Sequence, residues 1–133
     1  WYVDLTAAWA RGDDTARDQP LNSVPPGRAS LAAGYGAPDG GWGGELRVTG
    51  VRRVTRADQT AAALYLPPGY STWDANAWWA IGDQVRLNLT LHNLADRRYR
   101  DWSTLRGLTA TADDIDFYSR PGRGASLGLR WEF

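Results

Sequence analysis

The sequence predicts an all-β chain: about six antiparallel strands forming a curved open sheet, a segment of an up-and-down transmembrane β-barrel. Three observations carry that expectation. Stretch after stretch alternates with a period of two, one row apolar or glycine and the other polar. Short turns alternate with long loops along the chain. On the apolar rows the aromatics gather in two bands at opposite strand ends, where the two interfaces of a bilayer select Trp and Tyr.

Composition supports this reading and removes others. The chain has 133 residues, with 15 basic and 15 acidic side chains, so it lacks the strongly basic balance of a nucleic-acid binder. It has no cysteine, which removes a disulfide framework, a thiolate metal site and a Cys nucleophile. No apolar run reaches the ~18 residues of a transmembrane helix. The first residues, Trp1-Tyr2-Val3-Asp4, do not resemble a signal peptide. With no Met anywhere, the expectation is a piece of a longer protein. Eight Trp, six Tyr and 15 Gly against two Phe suit a membrane interface and tightly turned strands.

The strands follow in order. Residues 1–10 set Trp1, Val3, Leu5, Ala7 and Trp9 against Tyr2, Asp4, Thr6 and Ala8. Residues 28–36 set Ala29, Leu31, Ala33 and Tyr35 against Arg28, Ser30, Ala32 and Gly34. Residues 42–50 set Trp42, Gly44, Leu46, Val48 and Gly50 against Gly43, Glu45, Arg47 and Thr49. Residues 72–80 set Trp73, Ala75, Ala77 and Trp79 against Thr72, Asp74, Asn76 and Trp78, the last a bulky exception on a polar row. Residues 85–92 set Val85, Leu87, Leu89 and Leu91 against Arg86, Asn88, Thr90 and His92. The final stretch, 122–133, sets Ala125, Leu127, Leu129, Trp131 and Phe133 against Gly124, Ser126, Gly128, Arg130 and Glu132.

Residues 37–41 and 81–84 carry Asp-Gly and Gly-Asp turn chemistry, whereas 11–27, 51–71 and 93–123 are long. Short turns on one side and long loops on the other are the habit of outer-membrane barrels. Pro25-Pro26-Gly27, Pro67-Pro68-Gly69 and Pro121-Gly122 each precede a strand running away from the loop side, where a missing N–H costs no ladder bond. Their spacing does not make a propeller, because each interval supplies two strands and a blade needs four.

The expected belt at the short-turn end is Trp1, Tyr35, Trp42, Trp79, Trp131 and Phe133, and at the long-loop end Trp9 and Trp73. A mid-depth Arg on the outward rows costs about 2–4 kcal/mol, and those rows carry no charge.

Chemistry-bearing motifs are few. His92 is the lone histidine and a weak candidate for a ligand-facing lumen residue; with no second ligand beside it, a polar wall residue is the favoured reading. Asp113, Asp114 and Asp116 lack the glycine and terminal Glu of a calcium loop and read as solvated. Inward Arg28, Arg47, Arg86 and Arg130 are expected to pair across strands with Asp4, Glu45, Asp74 and Glu132. No nucleophile–base set appears. The expectations are therefore no catalytic residue, no metal site, no resident cofactor and no enzyme.

The segment Asn93-Leu94-Ala95-Asp96-Arg97-Arg98-Tyr99 resembles the Asn-Leu-Phe-Asp-Lys/Arg-x-Tyr motif of TonB-dependent outer-membrane receptors, with Ala95 replacing the usual Phe. In that family a long loop, a Pro-Gly-Arg and a last strand ending in Phe follow; here they correspond to 100–120, Pro121-Gly122-Arg123 and Phe133. Residues 20–25 and 99–103 are similar to the haem and haemoglobin receptor branch.

The resemblance implies that residues 1–133 are the C-terminal part of a barrel of about 22 strands, without the plug domain. It implies an outer-membrane receptor of a Gram-negative bacterium taking up haem or haemoglobin, or alternatively a ferric siderophore. Partners would be outer-membrane lipid, the remaining barrel and plug, the TonB complex through that plug, and the β-barrel assembly machinery. The last would read Leu127, Leu129, Trp131 and Phe133 as its signal by β-augmentation. The rival readings are a passive porin-like channel wall and a soluble β-sandwich whose apolar rows face a second sheet.

Overall fold

A computed structural model describes all 133 residues. Eight strands form in chain order: β1 (Tyr2–Ala8), β2 (Asp13–Asp14), β3 (Gln19–Pro20), β4 (Arg28–Gly36), β5 (Trp42–Val51), β6 (Tyr70–Ile81), β7 (Val85–His92) and β8 (Gly124–Trp131). A short helix α1 (Trp102–Leu105) and a 3-10 turn (Ile115–Tyr118) lie between β7 and β8. Six strands make one antiparallel sheet in the order β1-β4-β5-β6-β7-β8, and β2 with β3 form a separate small hairpin. The sheet is open, with β1 and β8 as its edges.

The six predicted strands are all present; two keep their predicted ends and the other four move by one or two residues. β1 begins at Tyr2 and stops at Ala8, β6 extends to Tyr70 and Ile81, and β8 starts at Gly124. Both short connections are tight turns. Gly40 and Gly82 take φ of +72° and +63°, a region a Cβ disfavours.

Register explains why the pattern was so legible. Val3 stands opposite Ala33, Ala33 opposite Leu46, Leu46 opposite Ala75, Ala75 opposite Leu91, and Leu91 opposite Ala125. One apolar line thus crosses all six strands on one face. A slip of one residue anywhere would turn a strand's apolar row to the other face. No second sheet covers this face: Leu5 is 72% exposed and Leu129 65%. The soluble-sandwich arrangement is therefore not what this chain adopts.

The polar face is bridged in a way the pattern did not suggest. Small residues on the polar row of β4 form gaps that long side chains span. Tyr2 crosses Gly34, where an added Cβ would lie 2.3 Å from the Tyr2 ring, and donates from its hydroxyl to Glu45 Oε2 at 2.9 Å. Arg47 reaches back across Ala32 to Asp4, Nη1 to Oδ1 at 3.8 Å. Trp78 lies over Gly43 and reaches Gly36. Its place on a polar row, an exception in the sequence, is thus the filling of a glycine gap.

The expected cross-strand pairing of the inward charges holds only for Arg47 with Asp4. Arg47 also binds Glu45 of its own strand at 3.0 Å, and Arg130 binds Glu132, one residue past the end of β8, at 2.5 Å. Arg28 and Arg86 form no ion pair. Side chains two apart on one strand share a face, so they compete with partners across the ladder.

Candidate functional site

The most buried large side chains are not in the sheet. Trp102 and Leu105, three apart on α1 and so on one helical face, are 4% and 0% exposed. They anchor a cap in which the three long loops are tied together at the loop end of the sheet.

Each tie joins loops far apart in sequence. Trp102 Nε1 donates to the Asn22 carbonyl at 2.9 Å. Asn22 in turn donates from Nδ2 to the Asp58 carbonyl at 3.1 Å and accepts the Asp58 N–H at 2.7 Å. Arg56 pairs with Asp13. Leu64 bridges to Thr109, with Tyr65 N–H donating to the Leu108 carbonyl at 3.0 Å and Ala110 N–H to the Ala63 carbonyl at 2.8 Å.

Several backbone groups outside the ladder, among them the Asn22 and Asp58 carbonyls and the Asp58 N–H, find protein partners in this way.

The base of the longest loop is closed by the residues that carry the family resemblance. Asn93 and Asp96 both take left-handed φ, +49° and +50°, which their short polar side chains tolerate. Asn93 is 4% exposed; its Oδ1 accepts the Arg97 N–H at 2.9 Å and its Nδ2 donates to the Arg97 and Pro121 carbonyls. Asp96 Oδ1 accepts the Arg123 N–H at 2.8 Å. Leu94 N–H donates to the Trp73 carbonyl at 2.8 Å. Asn93, Asp96, Pro121, Gly122 and Arg123 are therefore parts of one clasp. Tyr99 adds to it, stacking on Tyr70 at 4.2 Å and accepting the Arg120 N–H on its carbonyl at 2.9 Å.

Electrostatics follow from these contacts. Asp101 accepts from the Tyr70 hydroxyl and from Arg120, whose Nη2 lies 2.9 Å away. Burial, with the Asp101 charge adding to it, pushes the Tyr99 hydroxyl above its ordinary 10.0. Hydrogen bonds from Arg11 and then Arg56 hold the Asp13 carboxyl below its usual value, and those from Thr60 do the same for Asp58. Asp116 is taken by Arg100, whose Nε also donates to the Ile115 carbonyl at 3.1 Å. No cluster of His, Cys, Asp and Glu in the chain is arranged to hold a metal ion.

His92 ends β7 on the polar face, its Nδ1 3.9 Å from Asp74 Oδ1. That carboxylate accepts the Asn93 N–H at 2.9 Å, so it braces the clasp. At the other end of the sheet the aromatics adjoin. Trp1 and Tyr35 have ring centroids 4.8 Å apart, Tyr35 and Trp42 5.1 Å, and Trp131 and Phe133 6.4 Å. Trp42 stands opposite Trp79. Trp9 and Trp73 lie near the loop end, and both are exposed. Leu127, Leu129 and Trp131 share the outward row of β8, facing Leu89, Leu87 and Val85.

Sequence reasoning missed the cap core. The only local signal was an acidic residue, Asp101, ahead of apolar Trp102 and Leu105 at helical spacing. Four residues are too few for a helix that stands alone, so the cap is a tertiary product.

The family model for the TonB dependent receptor-like beta-barrel matches residues 1–94. Lactoferrin-binding protein A of Neisseria meningitidis is 30% identical over 139 residues, covering 92% of this chain and 15% of that protein. Hemoglobin-haptoglobin utilization protein B of Neisseria meningitidis is 23% identical over 154 residues, covering 99% of this chain and 19% of that protein. Among solved structures, the copper transporter OprC superimposes with a TM-score of 0.81 at 20% identity, covering 98% of this chain and 21% of that one. The chain thus spans less than a fifth of the length of either curated relative.

Proposed function

This chain belongs to the TonB-dependent receptor family of β-barrels, and on that premise we propose that it is the C-terminal wall and loop cap of an outer-membrane receptor that takes up an iron-bearing ligand. The open sheet supports the wall. Six strands cannot close around a lumen, and edges β1 and β8 carry unpaired backbone groups for further strands of a barrel of about 22. The bare apolar face suits outer-membrane lipid, with Trp1, Tyr35, Trp42, Trp79, Trp131 and Phe133 as one interfacial belt and Trp9 and Trp73 as the other.

The observation that carries a receptor, rather than a catalytic, role is the cap. Three loops are fastened into one preorganised surface at the end away from the larger aromatic belt. Preorganisation lowers the ordering cost of binding a large partner. Curated relatives are named for binding lactoferrin and for using hemoglobin–haptoglobin. Haem or haemoglobin is the favoured ligand here, ahead of a ferric siderophore. Energy for uptake would come from the TonB complex through a plug in the rest of the receptor. His92 lies below the cap on the lumen face, braced against Asp74, and serves the wall rather than a metal.

The test is a binding titration of the complete receptor with haemoglobin, haem, lactoferrin and a ferric siderophore. Saturable haem or haemoglobin binding that disappears when 93–123 is replaced by a short turn is the expected result. Binding of the siderophore alone would overturn the ligand class. Passive solute flux with no iron-bearing ligand bound would put a porin-like channel in its place.

A further inference from the structure

A groove of about 420 Å³ lies at the loop rim of β1, β4 and β5, and its charge is unbalanced. Trp9, Leu21 and Val24 give it an apolar floor, and Arg11, Arg52, Arg53 and Arg56 give it cationic walls. One carboxylate answers them: Asp13, which accepts from Arg11 Nε at 3.2 Å and pairs with Arg56. Arg52 and Arg53 are exposed and have no ion-pair partner.

The position of Arg52 says which way the groove looks. It continues the outward row of β5, one residue beyond Val51, and its N–H donates to the Gly27 carbonyl at 2.8 Å. Gly27 continues the outward row of β4, and Trp9 ends the outward row of the first strand. An added Cβ on Gly27 would meet Arg52 Cδ at 3.4 Å and Trp9 Cβ at 3.7 Å. The missing side chain is thus the slot along which the Arg52 stem lies, close to the root of the Trp9 side chain. An arginine stem on a lipid-facing row, next to an interfacial Trp, places its guanidinium at headgroup height.

We infer that this groove holds the phosphate-bearing headgroup of a lipid in the loop-side leaflet. The fork of a guanidinium matches two phosphate oxygens, Arg53 supplies a second free cation, and the apolar floor accepts the first carbons below the headgroup. The inference rests on the reading that the outward rows face lipid.

The complete receptor is titrated with phosphatidic acid, retained lipid being counted by native mass spectrometry. In parallel, quenching of tryptophan emission by brominated phosphatidylcholine reports whether the outward rows meet lipid at all. One retained phosphatidic acid is expected, with affinity falling about fivefold for each of Arg52→Gln and Arg53→Gln and less for Arg52→Lys. Heat-modifiable migration on gels confirms that the variants fold. Quenching without phosphatidic acid retention, or retention unchanged in the double Gln variant, would overturn the headgroup site and leave the lipid-facing reading standing. Loss of quenching would sink both. Displacement of the lipid by inorganic phosphate in excess would overturn a lipid as the occupant.

Discussion

The indole of Trp102 donates from Nε1 to the backbone carbonyl of Asn22 at 2.9 Å, across 80 residues of chain. This bond and the burial of the ring fasten the third long loop to the first. Replacing Trp102 by Ala removes ring and bond together and is expected to cost about 3–5 kcal/mol locally. Trp102→Phe loses chiefly the bond, about 1 kcal/mol. Limited proteolysis should show faster cleavage within 11–27 and 93–123 for the Ala variant, while the sheet stays protected. Equal cleavage of all three proteins would refute the role of Trp102 as the cap's anchor.

Asp96 and Gly122 form the clasp at the base of that loop. An added Cβ on Gly122 would sit 2.5 Å from Asp96 Oδ1, the atom that accepts the Arg123 N–H. Gly122→Ala must push the carboxylate off its bond, so its cost should approach that of Asp96→Ala, about 1.5–3 kcal/mol. The two should not add: in the Asp96→Ala background Gly122→Ala becomes nearly neutral. A thermal-unfolding cycle measures this, and simple additivity would show that the clasp is not the shared cause.

A parallel cycle tests the glycine gaps of the polar face. Gly34→Ala collides with the Tyr2 ring and breaks its bond to Glu45, so it should destabilise by about 1–2 kcal/mol. With Tyr2→Ala already made, the same change should be neutral or stabilising, because alanine orders more cheaply than glycine in a strand. Chemical denaturation of the four proteins reads the sign.

Acid should loosen the tie between the first two long loops. The Asp13 carboxyl is held below its ordinary 3.8 by Arg11 and Arg56. A depressed folded-state value contributes stability that is present above 3.8 and lost as pH falls through the lower folded value. Hydrogen exchange at 52–58 should therefore be unchanged near neutrality and accelerate below about pH 4. Asp58, depressed by Thr60, contributes in the same direction, so Asp13→Asn should remove part of the acid response. Because Asp13 is exposed, salt should weaken the effect. Exchange that accelerates equally in Asp13→Asn would assign the response elsewhere.

Deleting Phe133 from the complete receptor is expected to lower its level in the outer membrane several-fold, as the exposed apolar row of β8, continued by Phe133, is what an assembly factor would pair with. Cell fractionation measures it; wild-type levels would remove Phe133 from that role.

The sheet was legible because it is two-sided in the simplest way. Val3, Leu46, Leu91 and Leu127 each alternate with a polar neighbour, and a period of two needs no knowledge of partners. The clasp residues were found by resemblance, but their joint purpose was not: nothing in the order Asn93, Asp96, Gly122 says that they meet. Trp78 was read as an exception because its reason sits on another strand, at Gly43. Trp102, Leu105, Asn22 and Asp58 carried no pattern, since their contacts obey no local period.

Sequence alone determined the strands, their faces, their up-and-down order and the two bands of aromatics. Those depend on side-chain alternation and turn chemistry, which act over a few residues. Tertiary structure alone decided that the three long loops form one cap, that glycine gaps are bridged by Tyr2 and Trp78, and that Arg52 and Trp9 share a groove. Such features arise where distant segments satisfy each other's backbone groups and fill each other's voids, and only the folded chain brings those segments within reach.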